Sequence, residues 1–132
     1  MMPLRADRFT QVALRSRNGA EPVEIWKARK FIDAHSDEEL SLTKIAKSVH
    51  ISPNYLSERF KEVTGVNFVD YIARTRTENA RERLQNSDRR ISEIAFAVGF
   101  QSLSQFNRVF KKLTGKSPTA YRAARTKRTK YH

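Results

Sequence analysis

The chain has 132 residues, a length that suits one domain or two very small ones and excludes a large multidomain enzyme. It contains no cysteine, which excludes disulfides, thiolate nucleophiles and cysteine-ligated zinc, and no apolar run approaches the roughly 20 residues of a membrane span. Lysine and arginine number 26 against 14 aspartates and glutamates, so the net charge is +12 and an anionic partner is expected.

The positive charge is concentrated in the second half of the chain. Residues 1–66 carry 11 basic and nine acidic side chains, whereas residues 67–132 carry 15 and five. Residues 1–20 hold four arginines, one aspartate and scattered apolar positions, and we interpret them as a flexible basic arm. A solvated basic surface without a partner is the simplest alternative to a surface that binds an anion.

Apolar residues recur every three to four positions between the few glycines and prolines, which predicts an all-α fold. Ser52 followed by Pro53 is a strong start signal for a helix, and Gly65 ends it. Asn67 caps a longer helix. The predicted helices cover residues 22–35, 41–49, 53–63 and 67–85, and two more follow.

An internal repeat relates residues 42–71 to residues 91–121. A single one-residue slip falls in the turn between two helices, where insertion is tolerated. The matched pairs are Ile45/Ile94, Ala46/Ala95 and Val49/Val98 at an offset of 49, then Ser52/Ser102, Phe60/Phe110, Gly65/Gly115 and Tyr71/Tyr121 at an offset of 50. The sequence therefore predicts two copies of one structural unit.

The sequence of each copy predicts a short helix, a turn of three to four residues and a capped second helix. This order of elements is helix-turn-helix geometry. Ala46 and Ala95 are small enough for two steeply crossing helices to touch. The turn needs a positive φ, which Gly99 adopts freely and His50 tolerates with modest strain.

The second helix of each copy has a polar outer face once the predicted core positions are removed. In the later copy those core positions are Phe106, Val109, Phe110 and Leu113. The remaining outer positions are Pro53, Asn54, Ser57, Glu58 and Lys61 in the first copy and Leu103, Ser104, Asn107, Arg108 and Lys111 in the second. Arginine pairs with guanine, asparagine with adenine and glutamate with the cytosine amine, so such a face suits the reading of bases in a major groove. Any solvated helix also carries polar residues.

One group of residues in the second copy forms a dense and specific pattern. It consists of Ile94-Ala95, Gly99-Phe100, Ser102, Phe106, Arg108, Phe110-Lys111-Lys112, Gly115, Pro118 and Tyr121-Arg122. This pattern resembles the signature of the AraC/XylS family of transcriptional regulators. The resemblance covers about residues 21–124 and implies seven helices in a homeodomain-like arrangement, two helix-turn-helix subdomains joined by a long helix. The seventh helix would begin at Ser117-Pro118.

The resemblance also implies roles for particular residues. The recognition helices would be residues 53–63 and 103–113, with base-facing positions at Asn54, Ser57, Glu58, Ser104, Asn107 and Arg108. Basic side chains near these helices are the candidate phosphate contacts, namely Lys61, Arg74, Arg76, Lys111, Lys112 and Lys116. Glu58 departs from the family, because many relatives carry a basic residue there. Most members also carry an effector-binding or dimerisation domain upstream, whereas about 20 residues precede the first predicted helix here.

The expected organisation is a flexible basic arm at 1–20, a first helix-turn-helix subdomain at 21–66, a linker helix at 67–86, a second subdomain at 87–124 and a basic tail at 125–132. The tail residues Arg122, Arg125, Lys127, Arg128 and Lys130 are interpreted either as a solvated terminus or as an extension that tracks phosphates.

The expected function is that of a cytoplasmic, sequence-specific regulator that binds double-stranded DNA as a monomer in two adjacent major grooves, with RNA polymerase as a further partner and no cofactor or membrane contact. A weakly specific architectural DNA-binding protein is the main alternative, and a protein-interaction module is another. An enzyme is not expected, because His35, His50 and His132 are far apart and no phosphate loop or nucleophile elbow is present.

Overall fold

The computed structural model describes residues 21–130, and it describes side chains for residues 21–125. Within that range the chain forms seven α-helices and no strand, which confirms the all-α prediction. The helices are α1 (Val23–His35), α2 (Leu42–Ser48), α3 (Pro53–Thr64), α4 (Phe68–Asn86), α5 (Ile91–Ala97), α6 (Leu103–Thr114) and α7 (Pro118–Lys130). The predicted arm at 1–20 and the tail side chains at 126–132 lie outside the described residues.

Local capping chemistry fixes the ends of α3 and α6. The Ser52 hydroxyl oxygen accepts a hydrogen bond from a backbone amide three residues on at 3.1 Å, and the Ser102 hydroxyl does the same at 3.0 Å. Gly65 and Gly115 end the two helices with φ of 84° and 86°, where a side chain would be strained. Both helices therefore have the same length and the same boundaries relative to their copy.

The turn that precedes each of these helices has the predicted positive φ. His50 has φ of 62° and Gly99 has φ of 112°, both in the left-handed half of backbone space. Ala46 and Ala95 are buried, and their carbonyl oxygens accept hydrogen bonds from backbone amides beyond the turn at 3.1 and 3.0 Å. Each turn thus contains one residue with a positive φ, histidine in the first copy and glycine in the second, and the second turn is one residue longer.

The chain divides into two compact units, one that ends at Ile72 and one that begins at Ala73, so α4 contributes to both. Each unit has its own apolar core. The first is formed by Ile25, Ala28, Ile32, Ile45, Ala46, Leu56, Phe60, Val63, Tyr71 and Ile72. The second is formed by Ala80, Leu84, Ile94, Ala95, Val98, Phe100, Phe106 and Phe110.

The duplication extends to the helix that precedes each helix-turn-helix. At an offset of 52, Ala28 corresponds to Ala80, and both are fully buried. The next residue is an arginine in each copy, Arg29 and Arg81, and each hydrogen-bonds a tyrosine of its own unit. This correspondence begins upstream of residue 42, and at the same offset Ile32 and Leu84 are also both fully buried.

A buried ion pair joins Glu21, just before α1, to Arg29 on that helix. The Arg29 guanidinium donates to both carboxylate oxygens of Glu21 at 2.7 Å, and the two side chains are only 5% and 4% exposed. This pairing raises the pKa of Arg29. Nearby, burial raises the pKa of Tyr71 to about 12, and the neighbouring Asp33 carboxylate adds to the effect.

Three apolar side chains are less buried than the sequence suggests. Leu113 was expected in the core but is 39% exposed, because it lines an open groove of about 540 Å³ beside Arg81 and Tyr121. On α1, Val23 and Trp26 are 62% and 47% exposed, since the helix has more apolar positions than its buried stripe can cover.

Two arginines predicted to belong to a solvated or phosphate-tracking tail bind backbone carbonyl groups instead. The Arg122 guanidinium donates to the carbonyls of Leu84, Ser87 and Arg89 at 2.6–3.3 Å. The Arg125 guanidinium donates to the Leu84 and Ser87 carbonyls at 3.0 and 2.9 Å. Because the last carbonyls of a helix have no partner within it, these contacts cap the carboxyl end of α4.

Candidate nucleic-acid interface

The predicted reading positions of α3 share one face of that helix. Asn54, Ser57, Glu58 and Lys61 are separated by three, one and three residues, a spacing that brings side chains together over two turns. Asn54, Glu58 and Lys61 are exposed and Ser57 is half-buried. Because Leu56 and Phe60 occupy the opposite face and are fully buried, this polar face points away from the core.

The same register recurs on α6, 50 residues later. Ser104, Asn107, Arg108 and Lys111 are all exposed, and the fully buried Phe106 faces the core. The structure therefore brings each group of predicted base-reading residues together on one accessible face. The correspondence is position by position.

The reading-face side chains make no hydrogen bond or ion pair with other described residues of the chain. This group consists of Asn54, Ser57, Glu58, Lys61, Ser104, Asn107, Arg108 and Lys111. Their neighbours on the same helices behave differently. Arg59 donates to Glu62 at 2.7 Å on α3, and the Gln105 side chain accepts from the backbone amide of Gln101 at 3.0 Å on α6. The face that suits base reading thus keeps its polar groups available.

Tyr55 is an exposed aromatic side chain of α3 with a partner in the first unit. Its hydroxyl donates to a carboxylate oxygen of Glu24 at 2.9 Å. A backbone hydrogen bond at the start of α1 lowers the pKa of Glu24, and the bond from Tyr55 lowers it further. The Tyr55 hydroxyl therefore already has a partner on α1.

The candidate phosphate contacts fall into two groups. Lys61, Lys111, Lys112 and Lys116 are exposed on or just after the reading helices. Arg74 and Arg76 lie on α4, are half-buried and already take part in interactions within the protein. The assignment of phosphate contacts to these six side chains remains a prediction. It is better supported for the four lysines, because their side chains are exposed.

Charge differs sharply between the described parts of the two units. Residues 21–72 carry nine acidic and seven basic side chains, whereas residues 73–125 carry four acidic and 12 basic ones. The positive charge that attracts a polyanion is therefore concentrated in the second unit. The full sequence shows the same difference in charge between its two halves. The difference is larger in the described residues, because four basic side chains of the first half lie in residues 1–20.

The two described histidines are His35 and His50. His35 contacts the Glu38 carboxylate at 2.8 Å, and His50 is the strained residue of the first turn. Over the residues described, no three His, Asp or Glu side chains come together in a way that would hold a metal ion. Likewise, none of the seven helices is long and apolar enough to cross a membrane. His132 lies outside the described residues.

Two helix-turn-helix units, each with an accessible polar face on its second helix, define a DNA-binding domain of the helix-turn-helix class. Comparison with known proteins narrows this class. The family model of a helix-turn-helix domain matches residues 45–124. The chain is 41% identical over 96 residues to the regulatory protein PocR of Salmonella typhimurium, an alignment that covers 73% of this chain and 32% of PocR.

Two solved structures resemble the chain closely. The C-terminal domain of AraT, a response regulator from Geobacillus stearothermophilus, shares 34% identity with a TM-score of 0.74, covering 76% of this chain and 84% of that one. The DNA-binding domain of the transcriptional factor AdpA, solved in complex with a target DNA, shares 27% identity with a TM-score of 0.75, covering 79% and 94%.

The chain belongs to the AraC-type family of helix-turn-helix transcriptional regulators and contains the DNA-binding domain of that family. It spans a third or less of the length of the first curated relatives that it matches.

Proposed function

We propose that this chain is a sequence-specific regulator of transcription that reads two adjacent major grooves of double-stranded DNA with α3 and α6. The observation that carries the proposal is the shared register of the two reading faces. Polar side chains without partners among the described residues stand at the same four positions of two helices that have the same caps, and each helix follows a turn with a positive φ. A helix with this presentation suits the width of a major groove.

The two faces are expected to read unlike sequences. Asn54, Ser57 and Glu58 on α3 correspond to Ser104, Asn107 and Arg108 on α6. An arginine selects guanine and a glutamate selects the amine of cytosine, so the preferred half-sites differ. The DNA site is therefore proposed to be asymmetric rather than palindromic.

Base contacts and phosphate contacts are proposed to divide between different residues. Asn54, Ser57, Glu58, Ser104, Asn107 and Arg108 would specify bases, and Lys61, Arg74, Arg76, Lys111, Lys112 and Lys116 would hold the backbone. Contacts to phosphates position a protein on the duplex but carry no sequence information. Most of this backbone binding is proposed for the second unit, where basic side chains outnumber acidic ones 12 to four among residues 73–125.

We further propose that one chain occupies one site as a monomer, because each chain already carries two reading helices. RNA polymerase is the proposed protein partner. The cytoplasm is the proposed location of a regulator of this kind.

Selection from a random duplex library tests the function directly. The full chain should enrich one asymmetric sequence, and its affinity for that duplex should exceed its affinity for random DNA by at least ~10³ at fixed salt. The double variant Asn107→Ala, Arg108→Ala should lose most of this ratio, and the matched control Glu82→Ala, an exposed change on α4, should keep it.

A ratio close to one would instead identify a weakly specific architectural protein, which depends on phosphate contacts and DNA bending. An absence of salt-dependent DNA affinity would indicate a protein-interaction module.

A further inference from the structure

Leu103 is an exposed leucine at the start of the reading helix α6. It is the first residue of the helix, directly after the capping Ser102, and it is 39% exposed. Ser104 and Asn107, one and four residues further on, are also exposed. An apolar side chain therefore stands at the end of the helix from which base edges are contacted in helix-turn-helix complexes.

We infer that Leu103 contacts the C5-methyl group of a thymine in the half-site of the second unit, and that it adds a base preference to those of its polar neighbours. This inference rests on the proposed function. Thymine is the only unmodified base that presents a methyl group in the major groove, and apolar side chains recognise it by contact with that methyl. A leucine has no donor or acceptor, so contact with the methyl is the way in which it can discriminate bases.

The first unit provides an internal contrast. Pro53 occupies the position that corresponds to Leu103, and its ring closes on its own backbone nitrogen. A proline therefore reaches less far from the helix than a leucine does. Dependence on a thymine methyl is expected in the half-site of the second unit and not at the corresponding position of the other.

Replacement of thymine by deoxyuridine tests the inference, because it removes the methyl and leaves every hydrogen-bonding group. The full chain is titrated with the selected duplex and with duplexes that carry one such replacement at a time. The half-site of the second unit is identified as the half where Arg108→Ala relaxes base preference. One replacement there should weaken binding about fourfold, the effect of withdrawing one methyl group from a dry contact.

Variants at Leu103 identify the side chain responsible. Leu103→Ala should bind the thymine and deoxyuridine duplexes equally, whereas Leu103→Met should keep the sensitivity because it preserves an apolar contact. Leu113→Ala is the matched control, since Leu113 lies on the same helix with the same 39% exposure but lines the groove beside Tyr121. It should keep the full fourfold effect. Circular dichroism confirms that each variant is folded.

The possible negative results distinguish a failure of this inference from a failure of the proposed function. A chain that prefers its selected duplex over random DNA but is indifferent to every thymine replacement in this half-site, or selects a half-site without thymine, overturns this inference and leaves the proposed function in place. Sensitivity that survives in Leu103→Ala overturns it too. A chain without any sequence preference overturns both.

Discussion

Arg108 and Lys112 lie four residues apart on α6, and we expect them to contribute to DNA binding in different ways. Arg108→Ala should cost about 1–3 kcal/mol on the preferred duplex and relax the choice of one or two base pairs, because a bidentate contact to guanine is lost. Lys112→Ala should weaken binding to all sequences alike, because a phosphate contact carries no sequence information.

Titration of both variants with the selected duplex and with random DNA separates the two roles. An equal loss on both duplexes for both variants would show that Arg108 is a phosphate contact. Both side chains are exposed, so neither change should disturb the fold.

The buried pair of Glu21 and Arg29 leads to a prediction about stability. Glu21→Ala should lower the free energy of unfolding of the first unit by up to about 3 kcal/mol, because the buried guanidinium loses its carboxylate partner and keeps its hydrogen bond with Tyr71. The double variant Glu21→Ala, Arg29→Met should recover part of this loss. The chain has one tryptophan, and Trp26 lies on α1, so its fluorescence during denaturation reports on this unit. An unchanged midpoint for Glu21→Ala would contradict the prediction.

At the scale of single elements, Arg122 on α7 stabilises the carboxyl end of α4. Arg122→Gln should cost about 1–2 kcal/mol of unfolding free energy, because the Arg89 carbonyl loses its charged donor and the Leu84 and Ser87 carbonyls keep only Arg125. Hydrogen exchange should show faster exchange at the end of α4 in this variant. Lys112→Ala is the control, since an exposed lysine away from such contacts changes stability by less than about 0.5 kcal/mol.

A second result separates this role from DNA contact. Arg122→Gln should leave the salt dependence of DNA binding unchanged under conditions in which it is folded, because its guanidinium is committed to carbonyl groups. A reduced salt slope would mean that Arg122 neutralises a phosphate.

Helix boundaries and the turn were predictable from sequence because their causes are local. Ser52 and Ser102 bond to amides three residues away, and the left-handed turn depends on the residue that occupies it, Gly99 or His50. The register of the reading faces followed from the same boundaries. The contacts of these faces with bases, and of the basic side chains with phosphates, form only in the complex with DNA. Both sets of contacts stay predictions.

Features that depend on distant partners were not predictable in this way. The Arg122 side chain bonds to carbonyls 33 to 38 residues earlier, a relation that no local pattern contains. Leu113 has the helical spacing of a core residue, but its burial depends on whether another helix covers it, and an open groove lies there instead. Periodicity identifies the direction of a side chain, while burial depends on what packs against it.

For the whole molecule, the charge distribution predicts how binding responds to salt. We expect the logarithm of the association constant to fall with the logarithm of salt concentration with a slope on the order of −4 to −8, because several phosphates release counterions. The pair of changes Lys111→Gln, Lys112→Gln in the second unit should reduce the slope by about two. The pair Lys44→Gln, Lys47→Gln on α2 should reduce it less, since acidic side chains outnumber basic ones in residues 21–72. An association constant that does not change with salt concentration would contradict binding through phosphate contacts.

One chain is expected to occupy two half-sites of the DNA. A helix of 19 residues, on the order of 28 Å long, begins in the first unit and ends in the second, and each unit carries its own reading helix. If α3 and α6 enter successive major grooves, their half-sites lie about one helical turn of DNA apart. Insertion of about five base pairs between the half-sites should then reduce affinity to that of a single half-site, because it moves one half-site to the opposite face of the duplex. Deformation of the DNA to compensate would cost a few kcal/mol. Binding of the selected duplex should show one chain per site in sedimentation. Two chains on a palindromic site, or indifference to the five-base-pair insertion, would contradict recognition by a single chain.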